Sequence, residues 1–301
     1  MKNNIPWIEK YRPSTFNDIV LKNITRNILE RMIEQQHIPN MIFYGPPGTG
    51  KTTTIINFIK KYHKKYEVGG QDTIIHLNAS DERGIDIIRN HIYQFIKSKK
   101  LFGSGIKFVI LDEVDSMTSN AQQCLKELIT NTNDKIIFCL ICNYLSRIDY
   151  TLQRNFFKIR FNTLPREDVN VFLKKICVKE DLDISYEYLN VIQDYYKSDL
   201  RSMINYLQQY KYQKSKKHIN LIDNNHIHIL LNIKEIDEFI EKCKEYTICF
   251  NISYYELLIK LVEHKIKEGS CHYERFKEFI HNRHIHPLLV LKHFFYLTNK
   301  N

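Results

Sequence analysis

Phe43-Tyr44-Gly45-Pro46-Pro47-Gly48-Thr49-Gly50-Lys51-Thr52-Thr53 is the stretch from which the rest of this chain can be read. The apolar run Met41 to Tyr44 is strand-like, and it ends in a glycine-rich loop that opens into helical spacing. Gly45, Gly50, Lys51 and Thr52 occupy the four defining places of G-x-x-x-x-G-K-[ST]. Each residue type has a physical task. Glycine reaches backbone angles closed to other residues, so consecutive N–H groups can turn inward toward a polyphosphate. The helix that follows adds the partial positive charge of its N-terminus. Lys51 is placed to bridge the β- and γ-phosphates, and the Thr52 hydroxyl to ligate Mg²⁺. The stretch implies a nucleoside triphosphate ligand.

Working outward, a second apolar run, Ile106 to Leu111, ends in Asp112-Glu113-Val114-Asp115. A strand ending in adjacent carboxylates is weak alone and strong beside a phosphate loop. Asp112 would hold Mg²⁺ through water, and Glu113 would orient or deprotonate an attacking water. A third run, Lys135 to Cys142, ends at Asn143, whose amide could reach a γ-phosphate or that water, although Asn is common in turns generally. A shorter strand is expected over Thr73 to Leu77, followed by Asn78-Ala79-Ser80-Asp81-Glu82-Arg83-Gly84-Ile85 with Ser80 as a helix N-cap. Alternating strands and helices imply an α/β fold, a parallel sheet flanked by helices with its ligand at the carboxyl ends.

On the other side of the loop, Pro6-Trp7-Ile8-Glu9-Lys10-Tyr11-Arg12-Pro13 is bracketed by prolines and should be extended. Ile19 to His37 carries helical apolar spacing and stops before Pro39. From about Leu164 the strands cease. Helices are expected over Pro165 to Val178, Ser185 to Tyr196 and Asp199 to Tyr212, then a lysine-rich linker, then amphipathic pieces around Ile233–Cys243, Tyr254–Lys267 and Leu288–Leu297.

Composition narrows the class. The chain has 301 residues, 43% hydrophobic and 26% charged, as in soluble globular proteins, and room for two or three domains. No apolar run approaches the roughly 18 residues that span a bilayer, and no signal-peptide pattern opens the chain, so a nuclear or cytoplasmic protein is expected. Lys and Arg total 44 against 34 for Asp and Glu, a net charge of +10 that suits a polyanionic partner such as nucleic acid, or a solvated lysine-rich surface. Seven scattered cysteines read as reduced thiols; Cys139 and Cys142 form a lone C-x-x-C with no second pair. His281, His284 and His286 lack the partners that would complete a metal site.

With these residues in view, the chain resembles a small subunit of replication factor C, the AAA+ clamp-loader family. The resemblance is dense from about Pro6 to Leu207. It rests on Pro6–Pro13, Gly45–Thr53, Asn78–Ile85, Leu111–Asp115, Cys142-Asn143-Tyr144 with Ser146-Arg147-Ile148, and Asp199-Leu200-Arg201. It implies three domains: a nucleotide-binding AAA+ domain over 1–163, a helical lid over 164–215 and a helical oligomerisation collar over 216–301. It implies ATP and Mg²⁺ as cofactors, with Trp7, Tyr11, Arg12 and Pro13 near adenine and ribose. Gly45, Pro46, Pro47, Gly48, Thr49, Gly50, Lys51, Thr52 and Thr53 would surround the phosphates, with Thr52 and Asp112 at the metal. Glu113, Lys51, Asn143 (sensor 1) and Arg201 (sensor 2) would be the catalytic set.

Further implications are a hetero-pentamer of AAA+ subunits, a sliding clamp, and primed double-stranded DNA contacted without sequence preference near Arg83 and Arg89. The site of action would be nuclear for a cellular protein and a cytoplasmic replication site for a viral one. Departures from the family pattern also stand out. Asn155 occupies the place of the arginine that usually reaches a neighbour's ATP, with Arg154 one residue earlier, and Lys126-Glu127 replaces a basic pair. Alternatives are therefore an ATP-binding structural subunit with little turnover, or another AAA+ DNA-processing ATPase.

Overall fold

Continuous apolar runs, where an antiparallel sheet would alternate, are explained by parallel pairing between two helical layers. The strands are β1 (Met41–Tyr44), β2 (Ile74–Asn78), β3 (Lys107–Asp112), β4 (Ile136–Cys142) and β5 (Phe157–Arg160). They form one sheet in the order β2-β3-β4-β1-β5, every pair parallel. A sheet covered on both faces buries both sets of its alternating side chains. Met41, Phe43, Phe108, Ile110, Cys139 and Ile141 enter one core with Leu29, Ile33, Ile55 and Phe58. Ile42, Val109, Leu111, Phe138, Leu140 and Cys142 enter the other with Leu125, Ile129 and Leu152. Cys139 and Cys142, three positions apart on a strand, thus lie on opposite faces and cannot share an ion or a disulfide. Burial raises both thiols to about 12, so neither is a thiolate near neutral pH.

This structure is a computed structural model; it describes residues 5–68, 73–80, 85–98, 105–132, 135–212, 221–250, 252–267 and 286–299. The chain divides into two units, 1–211 and 212–301. In the first unit the helices are α1 (Trp7–Lys10), α2 (Asn23–Glu34), α3 (Lys51–Tyr66), α4 (Ile85–Lys97), α5 (Ser119–Thr130), α6 (Tyr150–Gln153), α7 (Arg166–Lys179), α8 (Tyr186–Tyr196) and α9 (Leu200–Tyr212). Helices α7 to α9 follow the last strand and pack through Val169, Leu173, Ile176, Leu189, Ile192 and Met203, all buried.

Two local expectations are corrected. The segment between Pro6 and Pro13 is not extended but makes the single turn α1, with Pro6 as its N-cap. A proline restrains its own φ and the residue before it, and proline at a helix start is well tolerated, so the four residues from Trp7 to Lys10 were free to turn. Helix α2 begins at Asn23, not Ile19, because Ile19, Val20 and Leu21 are all buried in succession, which one helix face cannot do. The N–H and Oγ of Ser80 both donate to Asn78 Oδ1 at 3.0 Å, and residues 81–84, whose N–H groups it was expected to cap, lie outside the described residues.

The phosphate-loop start is fixed by a close approach. Gly45 has φ +139°, and a Cβ there would stand 1.9 Å from the backbone oxygen of Phe161, just past β5. Backbone cannot swing aside as a side chain can. Gly45→Ala is expected to cost at least about 1–3 kcal/mol, the usual cost of such a conformation before the clash is added. Urea unfolding of the purified variant against the natural chain checks this, and equal midpoints would refute it.

The second unit contains α10 (Asn224–Asn232), α11 (Ile236–Cys249), α12 (Tyr254–Lys267) and α13 (Pro287–Asn299). Their apolar faces share a core that includes Leu230, Phe239, Cys243, Leu257, Leu261 and Phe294. Asp223 caps α10 by accepting from the His226 N–H at 2.9 Å, and Pro287 opens α13 at the position where a missing N–H is harmless. His281 and His284 lie outside the described residues, and His286 is exposed; no cluster of three or more His, Cys, Asp or Glu able to hold a metal occurs among the described residues. No helix among them is long and apolar enough to cross a membrane.

Candidate functional site

The loop from Gly45 to Gly50 lies between the end of β1 and the start of α3, at the carboxyl edge of the sheet. Gly48 and Gly50 have φ of +70° and +86°, so the loop takes left-handed turns that other residues enter only under strain. Gly50 caps α3 in that conformation and lets Lys51 begin the helix. The Lys51 side chain folds back over the loop. Its Nζ donates to the Gly45 and Pro46 oxygens at 2.8 Å each and to Asn143 Oδ1 at 2.9 Å. Burial lowers the affinity of the amine for its proton, against the pull of the Asp112 and Asp115 carboxylates.

Asp112 ends β3 beside this loop. Its Oδ2 accepts from Thr52 Oγ1 at 2.7 Å and stands 3.9 Å from His76 Nε2, an ion-pair distance rather than a hydrogen bond. Its Oδ1 accepts the Glu113 N–H at 2.9 Å. Burial alone would raise this carboxyl, but His76, Thr52 and the Glu113 N–H outweigh it and hold it below its ordinary range. Glu113 itself sits at φ +56°, a left-handed conformation in a non-glycine residue that costs energy and is found preferentially at functional positions. Asp115, two residues on, accepts the backbone N–H groups of Asn143 and Tyr144 at 3.2 Å each. It thereby fixes the turn after β4 that carries Asn143 to Lys51.

The open side of the site is closed by two elements distant in sequence. Leu200, Arg201 and Ile204 of α9 line the cleft, and so do Ile8, Tyr11, Arg12 and Pro13 of the N-terminal segment. The α9 N-terminus rests directly on the loop, with the Leu200 N–H donating to the Gly48 oxygen at 3.2 Å. Asp199 caps that end, its Oδ1 accepting the Arg201 N–H at 3.0 Å. A Cβ on Gly48 would meet Asp199 Oδ1 at 1.8 Å, so only glycine permits this seat. The Pro13 oxygen accepts from Asn57 Nδ2 at 2.9 Å, tying the N-terminal segment to α3. Together these walls enclose a cavity of about 250 Å³.

The structure therefore brings Tyr11, Arg12, Pro13, Pro47, Gly48 and Thr49 to one cleft with Gly50, Lys51, Thr52, Thr53, Asp112, Glu113, Asn143 and Arg201. Gly45 and Pro46 enter through the carbonyls that hold Lys51. Trp7 does not join them. It is buried, its backbone N–H donates to Gln208 Oε1 at 2.9 Å, and Lys211 Nζ lies 5.6 Å from its ring centre, so it fastens the segment to α9 without lining the cleft. Arg83 lies outside the described residues, as does the side chain of Arg89. Arg154 and Asn155 are both exposed just beyond α6, between buried Gln153 and buried Phe156. Lys126 Nζ donates to Thr151 Oγ1 at 2.9 Å.

Sequence reasoning assigned no task to Asp115, Asp199 or Glu180. The first two stand inside quoted motifs, two residues from Glu113 and Arg201, so a signal existed. Glu180 gave none. It is buried at the end of α7, where Lys10, Tyr11 and Lys211 all donate to it. Burial alone would raise its pKa, yet these three donors hold it at about 2.

A glycine loop at a helix N-terminus, a lysine, a hydroxyl beside a carboxylate and a second carboxylate can hold a polyphosphate and a hard divalent cation. Comparison with known proteins bears on the nucleotide. Residues 41–164 match the model of the "ATPase family associated with various cellular activities (AAA)". Replication factor C subunit 5 of Homo sapiens is 40% identical over 205 residues, 68% of this chain and 60% of that protein. Replication factor C subunit 3 of Saccharomyces cerevisiae is 35% identical over 70% of this chain and 61% of its own length. Replication factor C small subunit 2 of Pyrobaculum islandicum is 38% identical over 67% and 62%. The chain thus spans about three fifths of the length of these relatives. Among solved structures, the RuvB Holliday junction branch migration motor of Thermotoga maritima superposes with a TM-score of 0.55 at 11% identity, over 84% of this chain and 80% of that one, a likeness of fold.

Proposed function

We propose, from the premise that the chain belongs to the AAA ATPases and is homologous to the replication factor C small subunits, that it binds and hydrolyses ATP as one subunit of a hetero-oligomeric clamp loader in DNA replication. One observation carries the catalytic part of this reading. The Lys51–Asn143 and Thr52–Asp112 hydrogen bonds join three segments far apart in sequence at a single cleft.

In this reading Lys51 leaves its loop carbonyls for the β- and γ-phosphates, and the loop N–H groups take the remaining oxygens. Thr52 and Asp112 would hold Mg²⁺, which when bound would supply positive charge against the phosphates. Glu113 accepts the proton of the attacking water. Asn143, placed by Asp115, orients that water or the γ-phosphate. Arg201 reaches the γ-phosphate from α9, so the α7–α9 lid of residues 164–215 follows the nucleotide state. Tyr11, Arg12 and Pro13 face the base and ribose. Residues 216–301 form the collar between subunits. The partners are related AAA+ subunits, a ring-shaped clamp and primed duplex DNA held by its phosphates. Asn155 leaves this subunit without the arginine that the family offers a neighbour's site, and a shift of the loop by one residue would be needed for Arg154 to replace it.

The native mass and composition of the complex that copurifies with the tagged chain tests the assembly. Five related AAA+ chains are expected, with or without a ring clamp. A lone monomer or a six-fold homo-oligomer would overturn the clamp-loader reading and leave the ATPase reading standing.

A further inference from the structure

The segment from Pro6 to Pro13 has little to hold it in place by itself. Its only helix, α1, has four residues, far below the length at which a helix persists alone in water. At its far end the Pro13 oxygen is anchored to α3 through Asn57. At its near end it is held by α9, through Gln208 and the Lys211 cation over the Trp7 ring, and by Glu180. Glu180 is 5% exposed and does not line the cleft. Its Oε1 takes Lys10 Nζ and the Tyr11 hydroxyl, and its Oε2 takes Lys211 Nζ. One carboxylate at the end of α7 therefore ties the wall that carries Tyr11 and Arg12 to the helix that carries Arg201.

We infer that Glu180 is a positioning residue for the cleft: it clasps the N-terminal segment to the C-terminal ends of α7 and α9, so that ligand affinity depends on a side chain the ligand does not touch. The inference rests on the nucleotide-binding reading above. Two oxygens are needed because the two sides of the clasp use different ones. A glutamine of the same size keeps one acceptor and turns an N–H₂ group toward a lysine on the other side, which opens the clasp. Lys10 gives an independent handle. Its side chain is half exposed and lies off the cleft, so its loss reaches a bound nucleotide only through the segment it anchors.

The test is a fluorescence titration of the full chain with a methylanthraniloyl derivative of ATP, using Lys10→Met, Glu180→Gln, both together, and Lys51→Ala as the non-binding control. If the clasped arrangement falls to about a tenth of the population, the apparent Kd rises about tenfold, since only the competent fraction binds. Lys10→Met and Glu180→Gln are each expected to do so, and the double variant to go no further than Glu180→Gln alone. Should Glu180→Gln fail to fold, Lys10→Met decides. An unchanged Kd in Lys10→Met, with natural chain and control behaving as expected, would overturn the clasp and leave nucleotide binding intact. Additive losses in the double variant would overturn it equally. No binding by the natural chain would sink the nucleotide reading and this inference with it.

Discussion

Replacing Lys51 with alanine is expected to abolish measurable nucleotide binding while leaving the chain folded. The two effects separate because of where the amine sits. In the folded chain it is 7% exposed, and burial makes its charge harder to keep, so it adds no stability from its protonation. A lysine pKa lowered on folding means the charged form is less favourable folded than unfolded, throughout the range below about pH 10. Removing the amine relieves that cost, although it leaves the Gly45 and Pro46 oxygens and Asn143 Oδ1 without this donor. The two consequences oppose one another, and the thermal midpoint should move little. Binding has no such offset. Two charge-assisted hydrogen bonds to phosphate at about 1.5–3 kcal/mol each correspond to a loss of about 10²–10⁴ in affinity. Calorimetric titration with ATP and Mg²⁺ beside a thermal melt without ligand makes the comparison. Retained affinity would mean that the loop is a structural turn.

The site's machinery was legible wherever it was local. The phosphate loop, the Asp112-Glu113 pair and the strand-end Asn143 announce themselves because backbone freedom, charge and strand position lie side by side in the chain. What escaped was tertiary. Glu180 lies 170 positions from Lys10 and 31 from Lys211, and an acid at the end of a helix looks like any solvated surface residue until the chain folds. Trp7 was expected at the nucleotide and instead packs under Lys211, because a turn between the two prolines swings it toward α9. The strand Phe157–Arg160 carried too little signal. It is an edge strand of four residues with Ile159 its one buried side chain, and the alternation Phe157-Lys158-Ile159-Arg160 is too short to mark a strand by itself. The cysteine pair shows the reverse case: strand period alone decides that Cys139 and Cys142 point apart, and both cores bear this out.

Glu113→Gln is expected to leave nucleotide affinity essentially unchanged and to slow hydrolysis by about 10²–10⁴, the usual contribution of a positioned general base. The geometry makes glutamine a clean probe. Glu113 owes its left-handed backbone to the turn around it, where its N–H donates to Asp112 Oδ1 and its oxygen accepts from Ser116 Oγ at 2.7 Å. Both bonds use the backbone and survive the substitution. Thr52 and Asp112 keep their own contact, so the groups that would hold Mg²⁺ are untouched. Only the ability to take a proton from water is lost. Single-turnover hydrolysis in the assembled complex, compared with the natural subunit, isolates the chemical step from nucleotide exchange. A steep fall assigns turnover to this subunit. An unchanged total rate, together with a complex that weakens in Lys51→Ala, would instead make bound nucleotide a stabiliser of the assembly, as a ligand of the folded state is, and would move the motor to a neighbouring chain.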